Sequence, residues 1–196
     1  MPLGAFKAAL MGTAGVSTGD VVLLSTQTAS DSASITFTGL MTSTYGEYIF
    51  KFYNINPETE NKVFQFQVNA TDGADYNDSA ITSTFFNAYH DEADSTNEFA
   101  YITGDDQAQG TAFQKISSAI GNGGDESANG ELHLFNPSST TYVKHFHSRM
   151  QIYQYADYSQ NVYAAGYIND TTAVDDIQFK MSSGNFDGTI KMWGVK

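Results

Sequence analysis

The sequence contains no cysteine among its 196 residues, which excludes disulfide bonds and thiolate metal sites. Positive charge is also scarce, since nine lysines and arginines stand against 22 aspartates and glutamates, for a net charge of −13. Basic side chains that neutralise phosphates supply most non-specific affinity for nucleic acid and for anionic membranes. We therefore expect neither direct nucleic-acid binding nor membrane binding.

Long hydrophobic runs are missing as well. No stretch approaches the length of about 18 apolar residues that would span a bilayer. The N-terminal segment has no basic region before its apolar residues, and Lys7 interrupts them, which is unlike a secretory signal. The sequence therefore predicts a soluble chain.

Aromatic residues are abundant, and they occur in a pattern typical of β-strands. The 14 phenylalanines and 12 tyrosines favour half-buried pleated surfaces. Around Phe50, Phe66, Leu132 and Phe179 the apolar residues alternate with polar ones, in short runs bounded by Gly, Asn, Asp, Ser or Pro. Roughly nine or ten such runs predict an all-β fold, an antiparallel β-sandwich or barrel.

Three segments lead to more specific expectations. The longest alternation covers residues 142–155 and predicts a strand that crosses the whole sandwich, with His145 and His147 on one face. Residues 113–120 have spacing that also suits a helix, but we favour a strand because the rest of the chain is β. Turn residues at 183–188 predict a tight reversal that pairs the last strand with the preceding one.

The first 19 residues differ from the rest, because they are small, apolar and rich in glycine, with Leu3, Phe6 and Leu10 at helical spacing. We predict a docking arm over residues 1–19 that contacts a neighbouring subunit, followed by a single β-sandwich domain over residues 20–196. The alternative is a frayed terminus, or a segment packed on its own domain.

Two groups of side chains have some character of metal ligands. One loop contains closely spaced oxygen ligands of the kind that calcium prefers, namely Asp72, Asp75, Asn77 and Asp78. The other group is the strand pair His145 and His147, which suits zinc or copper but has no third ligand marked in the sequence. A turn that caps its own backbone and a solvated strand face are the favoured alternatives, so no metal site and no cofactor are predicted.

Catalytic motifs are missing from the sequence. It has no G-x-S-x-G, no H-E-x-x-H and no phosphate-binding glycine loop that opens a helix. A non-enzymatic protein is predicted, with a hydrolase built from two carboxylates that meet in space as a minor alternative. Tyr153, Tyr155 and Tyr158 are candidate ligand-facing aromatics, for a sugar or for a protein contact.

Several segments resemble a group of small structural proteins of tailed phages, notably marine ones. They are SITFTGL at 34–40, YGEY at 45–48, NINP at 54–57, GELHLFNP at 130–137, VDDIQFKMSSGN at 174–185 and GTIKMWGV at 188–195. The likeness spans roughly residues 33–196 and departs mildly at Met192 and Trp193, where the group usually has Leu and Tyr.

This resemblance implies a jelly-roll sandwich and a structural role in the virion, with assembly in the host cytoplasm. Decoration, head-fibre and tail-associated roles all occur or are suspected in the group. Because the chain is one compact module with an arm and no shaft or repeat, a capsid decoration (cement) protein is the favoured hypothesis. A tail-associated or fibre protein that binds a carbohydrate or receptor is the alternative. The expected partners are other virion proteins and further copies of the chain, trimers being common for such modules.

Overall fold

The computed structural model describes residues 20–196, which fold into thirteen antiparallel β-strands. In chain order the strands are β1 (Val21–Ser32), β2 (Ile35–Thr38), β3 (Glu47–Pro57), β4 (Lys62–Ala70), β5 (Ile81–Asp91), β6 (Asn97–Tyr101), β7 (Ala108–Gly110), β8 (Gln114–Ile120), β9 (Ala128–Phe135), β10 (Lys144–Gln154), β11 (Tyr158–Ile168), β12 (Val174–Met181) and β13 (Phe186–Val195). The described residues contain no helix, and hence none long and apolar enough to cross a membrane. The all-β antiparallel fold is confirmed.

The strands form two layers that are joined into one hydrogen-bonded sheet. The large layer has the order β1-β13-β3-β9-β10-β11-β5, with the short strands β6 and β7 paired to β5. The small layer has the order β2-β12-β4-β8. The layers meet where Gln154 of β10 pairs with Ile120 of β8, so the sheet is nearly closed.

Burial alternates along the strands, so each layer has a buried face and a solvent-exposed face. In β10 every second residue from Lys144 to Ile152 is buried, while His145, His147 and Arg149 point to solvent. This matches the predicted faces of the longest alternation. Residues 114–120 form β8 with Ile116 and Ile120 buried, so the favoured strand interpretation is confirmed there.

Phe179 on β12 is the centre of the core between the layers. Its side chain is fully buried, and its ring lies 5.2 to 6.3 Å, centroid to centroid, from five other phenylalanine rings. These neighbours come from β2, β3 and β4, and they are Phe37, Phe50, Phe52, Phe64 and Phe66. Edge-to-face and offset contacts of this kind add to the free energy gained by burying aromatic area.

The pairing of the last strand differs from the prediction. The turn at Gly184 forms, with a φ of 76°, and Ile190 and Met192 are buried as expected. However, β13 does not pair with β12; it crosses to the large layer and pairs with β1 and β3. Both edges of β12 are already occupied, by β2 and β4, so the expectation of a hairpin was wrong.

Phe179→Ala is expected to lower the free energy of unfolding by about 3–5 kcal/mol, because it removes the ring that joins the layers and leaves a cavity. Equilibrium unfolding in urea measures this change. The control is Phe99→Ala on β6, where the side chain is 71% exposed and the expected change is within about 0.5 kcal/mol. Similar losses in the two variants would contradict the central role of Phe179.

Candidate functional site

The outward side of the large layer, here called the outer face, has a charge unlike that of the whole chain. Strand register aligns its side chains in rows, and one row runs from Lys191 through Lys51, Glu131 and Arg149 to Tyr163. This charged row contains three of the nine basic residues of the sequence. Within it, Lys51 Nζ lies 3.4 Å from the Glu131 carboxylate.

All four histidines of the sequence also lie on the outer face, at His90, His133, His145 and His147. By contrast, the outward positions of β3, β9, β10 and β11 contain only two of the 22 acidic residues, which are Glu47 and Glu131. The histidines are thus concentrated on one face of a strongly acidic protein, and on these four strands that face has few carboxylates. Such a patch favours contact with an acidic partner.

His133 and His147 form a stacked pair on this face, with ring centroids 4.5 Å apart. His133 Nδ1 lies 2.5 Å from the Glu47 carboxylate, which fixes the orientation of that ring. Although His147 is on the solvent side, partial desolvation of its ring and the neighbouring His133 lower the pKa of His147. Burial alone would raise the pKa of Glu131, but the charges of His133 and Lys51 outweigh it and lower that pKa.

A groove crosses the outer face next to the charged row, and a β-bulge borders it. The register of β3 against β9 shifts between Phe52 and Ile55, where Asn54 has a φ of 51°. Beside the bulge lie two adjoining clefts, of about 490 and 450 Å³. Both clefts are lined by Asn129 and Gln151, so together they form one continuous groove.

Polar side chains in and beside the groove form a hydrogen-bonded chain, here called the polar network. Arg149 Nε donates to Asn161 Oδ1 over 3.2 Å, and Asn161 Nδ2 donates to Gln151 Oε1 over 2.8 Å. Gln151 Nε2 in turn donates to Ser159 Oγ over 3.0 Å. These contacts fix the side chains in place before any ligand arrives, while each amide keeps unused donors or acceptors.

Tyrosines lie at both ends of the groove. Tyr53 lines it at the charged row, where Lys191 Nζ lies 5.3 Å from the ring centroid. Tyr153 lines the opposite end. Desolvation, together with the charges of Glu92 and Asp157, raises the pKa of Tyr153 to about 12. Its hydroxyl therefore stays protonated near neutral pH and donates to Asp157.

The three predicted ligand-facing tyrosines occupy different places. Tyr153 and Tyr158 line the groove, whereas Tyr155 lies in the turn between β10 and β11 and does not line it. Sequence reasoning missed Tyr53 and the polar network. The one usable signal was the alternation of β10, which places Arg149 and Gln151 on the same face as Tyr153.

The oxygen-rich loop forms local hydrogen bonds with its own backbone and side chains. Asp75 Oδ1 accepts from the Asn77 amide over 3.2 Å, and Asp78 Oδ2 accepts from the Ala74 amide over 3.3 Å. Asp72 Oδ2 accepts from the Thr172 hydroxyl over 3.1 Å. The arrangement is that of a turn that caps its own backbone.

A buried lysine lies beside this loop. Lys144 is fully buried, and its ammonium donates to the backbone carbonyls of Asp170 and Thr172. Burial lowers the pKa of Lys144, while the charges of Asp170 and Asp72 oppose that shift. The positive charge near Asp72 is therefore supplied by a side chain.

The candidate histidine ligands do not converge. His147 stacks on His133, whereas the nearest ring to His145 is Tyr167, at 6.2 Å. Among residues 20–196 no group of three His, Cys, Asp or Glu side chains is arranged to hold a metal ion.

The predicted arm residues Leu3, Phe6 and Leu10 lie outside the described part of the chain. The described chain starts at Asp20, and the next residues of β1 pair with the end of β13. At this corner, here called the arm end, Val21 and Leu23 are 54% and 45% exposed. The arm end and Tyr153 lie at opposite ends of the outer face. The register aligns Val195 with His145 of β10, and Tyr153 lies four outward-facing positions further along that strand.

Comparison with protein-family models and with curated proteins finds no match for this chain. The features of this chain that bear on function are therefore the geometry of the outer face and the resemblance of the named segments to phage structural proteins. In the structure those segments contribute to β2, β3, β9, β12 and β13. They supply core residues in both layers, including Phe179 in the small layer and Leu132 in the large one.

Lowering the pH is expected to destabilise the protein partly through His147. Its folded pKa lies below the ordinary value of 6.5, so below that pH the unfolded chain binds more protons at this residue. The stability that the neutral ring contributes is complete above about pH 6.5 and is lost as the pH falls through the folded pKa. In thermal unfolding at about pH 7.5 and about pH 5, His147→Gln should lose less stability than the wild type. Equal losses would contradict this account.

Substitutions in the polar network are expected to cost little stability. Arg149→Ala, Gln151→Ala and Asn161→Ala each remove a side chain that contacts other outer-face groups, and none belongs to the core. Urea unfolding should show changes of less than about 1 kcal/mol for each. A loss of more than about 2 kcal/mol would assign the network to fold stability instead of binding.

Proposed function

We propose that this chain is a structural protein of a phage virion, a jelly-roll module on the particle surface that is attached through its arm end. The main support is the division of the outer face into two unlike ends. Exposed apolar side chains lie at the arm end, and the polar groove lies at the other. A module that attaches to the particle at one end and presents a binding surface at the other needs ends of different character.

The jelly-roll assignment has support from the strand connections. Two antiparallel layers pack face to face, and consecutive strands such as β12 and β13 belong to different layers. Non-sequential neighbours, as in β13-β3-β9, are typical of Greek-key connections. The same fold is implied by the resemblance to phage structural proteins.

Attachment at the arm end agrees with the character of its surface. Val21 and Leu23 lie on an edge strand next to Trp193 and Val195 of β13, so they form an exposed apolar patch. Such patches mark protein–protein contacts. The apolar residues 1–19 directly precede this corner in the sequence and would extend the contact. We favour a capsid decoration role, in an oligomer of this chain.

A tail-associated or fibre role with receptor binding is the second candidate. The observation that favours it is the groove, because tyrosines and a preformed polar network are the usual components of a recognition site. Both candidates share the same attachment and differ in the position on the particle.

Fractionation of purified particles tests the proposal. We expect the chain to remain on washed virions and, for decoration, to co-purify with DNA-filled heads at high copy number. Presence on isolated tails in few copies would favour the second candidate. A chain found free in infected cells and missing from washed particles would overturn the virion role altogether.

A variant of the arm end tests the attachment. Leu23→Asp in the full chain is expected to reduce the amount bound to particles, because it places a carboxylate in an apolar contact. The matched control is Phe99→Asp, which changes an exposed apolar residue at the other edge of the large layer. Equal incorporation of both variants would contradict attachment at the arm end.

A further inference from the structure

We propose that the groove on the outer face binds an oligosaccharide that contains an acidic sugar. This inference deepens the proposed function and rests on display of the groove end of the module. The groove is bounded by Tyr53 at the charged row and by Tyr153 at the far end, and the polar network borders its length.

The dimensions suit an extended ligand. The two clefts, of about 490 and 450 Å³, share Asn129 and Gln151 as common walls. Arg149 and Tyr153 are four residues apart on β10, a distance of about 14 Å along the strand. An open groove of this length accommodates several consecutive sugar rings, and the open side allows the chain to continue beyond it.

The polar network matches the chemistry of sugar hydroxyls, which both donate and accept hydrogen bonds. Asn129, Gln151 and Asn161 present amide groups that also do both. Because Asn161 is already bonded to Arg149 and to Gln151, little side-chain freedom is lost when a ligand binds. All three residues belong to strands, which hold the donors and acceptors at fixed spacing.

Arg149 is the reason to expect an acidic sugar. Among the described residues its guanidinium forms no ion pair within 4 Å; its Nε donates to the neutral amide of Asn161 instead. Arg149 lines the groove beside Lys51, whose charge is paired with Glu131 at 3.4 Å, so among the described lining residues Arg149 is the cation without an ion-pair partner. The carboxylates of Asp91 and Glu92 line the other end, which places an acidic sugar at Arg149. A guanidinium binds a carboxylate through two parallel hydrogen bonds, which makes a uronic-acid type of sugar the natural occupant.

The tyrosines supply flat apolar surfaces for the faces of sugar rings. Tyr53 and Tyr153 both line the groove. Tyr163 lines neither cleft but supports Arg149, whose guanidinium carbon lies 5.5 Å from its ring centroid. Its own ring stacks on Phe86 at 5.0 Å with an interplanar angle of 11°, which holds it in a fixed orientation. Rigid aromatic side chains provide contact area at low entropic cost.

Binding of the purified full chain to an array of acidic and neutral bacterial glycans tests the inference. We expect retention of glycans that contain a carboxylate sugar and little retention of neutral glycans. Arg149→Gln and Tyr53→Ala should each weaken retention at least tenfold, about the effect of losing one charge-assisted hydrogen bond or one buried ring. Tyr142→Ala, in an exposed loop outside the groove, should bind like the wild type.

Three outcomes would overturn the inference: no glycan retained, neutral glycans retained equally well, or Arg149→Gln without effect. Competition by polyglutamate as strong as that by the retained glycan would also overturn it, since the groove would then be a general contact for acidic proteins. Because the array uses the isolated chain, its result is independent of particle fractionation. Glycan binding by a chain that is missing from virions would refute only the virion role.

Discussion

The contact of Phe179 with five phenylalanine rings from β2, β3 and β4 is the interaction on which the other features depend. It joins the small layer to the large one and lies at the centre of the buried side of the strands that it connects. Because side chains alternate along a strand, a slip of one residue would move a whole set to the opposite face. The residues that face the core therefore also determine which residues form the outer face.

The groove on the outer face lies beside an irregularity in this regular arrangement. At the bulge the register of β3 against β9 shifts between Phe52 and Ile55, and the Asn54 amide donates over 2.9 Å to Asn129 Oδ1, a side chain that lines the groove. Gly188 is part of the same adjustment in β13. With a φ of 138°, it lies against the bulge, and a Cβ there would come within 2.9 Å of the Asn54 carbonyl oxygen. Bulges of this kind redirect side chains at a sheet surface and often occur next to binding sites.

Alternation in the sequence was sufficient to predict the strands and their faces, but not their neighbours. It assigned Arg149 to solvent and Ile190 to the core, because burial follows the period of two. It could not predict that β13 joins β3, since any strand with one apolar face fits beside several others.

Loops also limit how well alternation predicts burial, as Gln67 shows. It alternates like an outward residue but is fully buried, because its amide donates to carbonyls at Thr111 and Ala112 in a covering loop.

The candidate site was only partly predictable for the same reason. Tyr153 could be selected from its own strand, but Tyr53, Arg149 and Asn161 meet through the register of β3, β9, β10 and β11. A face built in this way separates the outer-face side chains from stability, because they stand on strands whose free energy of folding comes from the opposite side. Residues of the groove can therefore be substituted while Phe179 and its neighbours stay the same. For the surface protein that we propose, that independence is a physical reason to use a two-layer sheet.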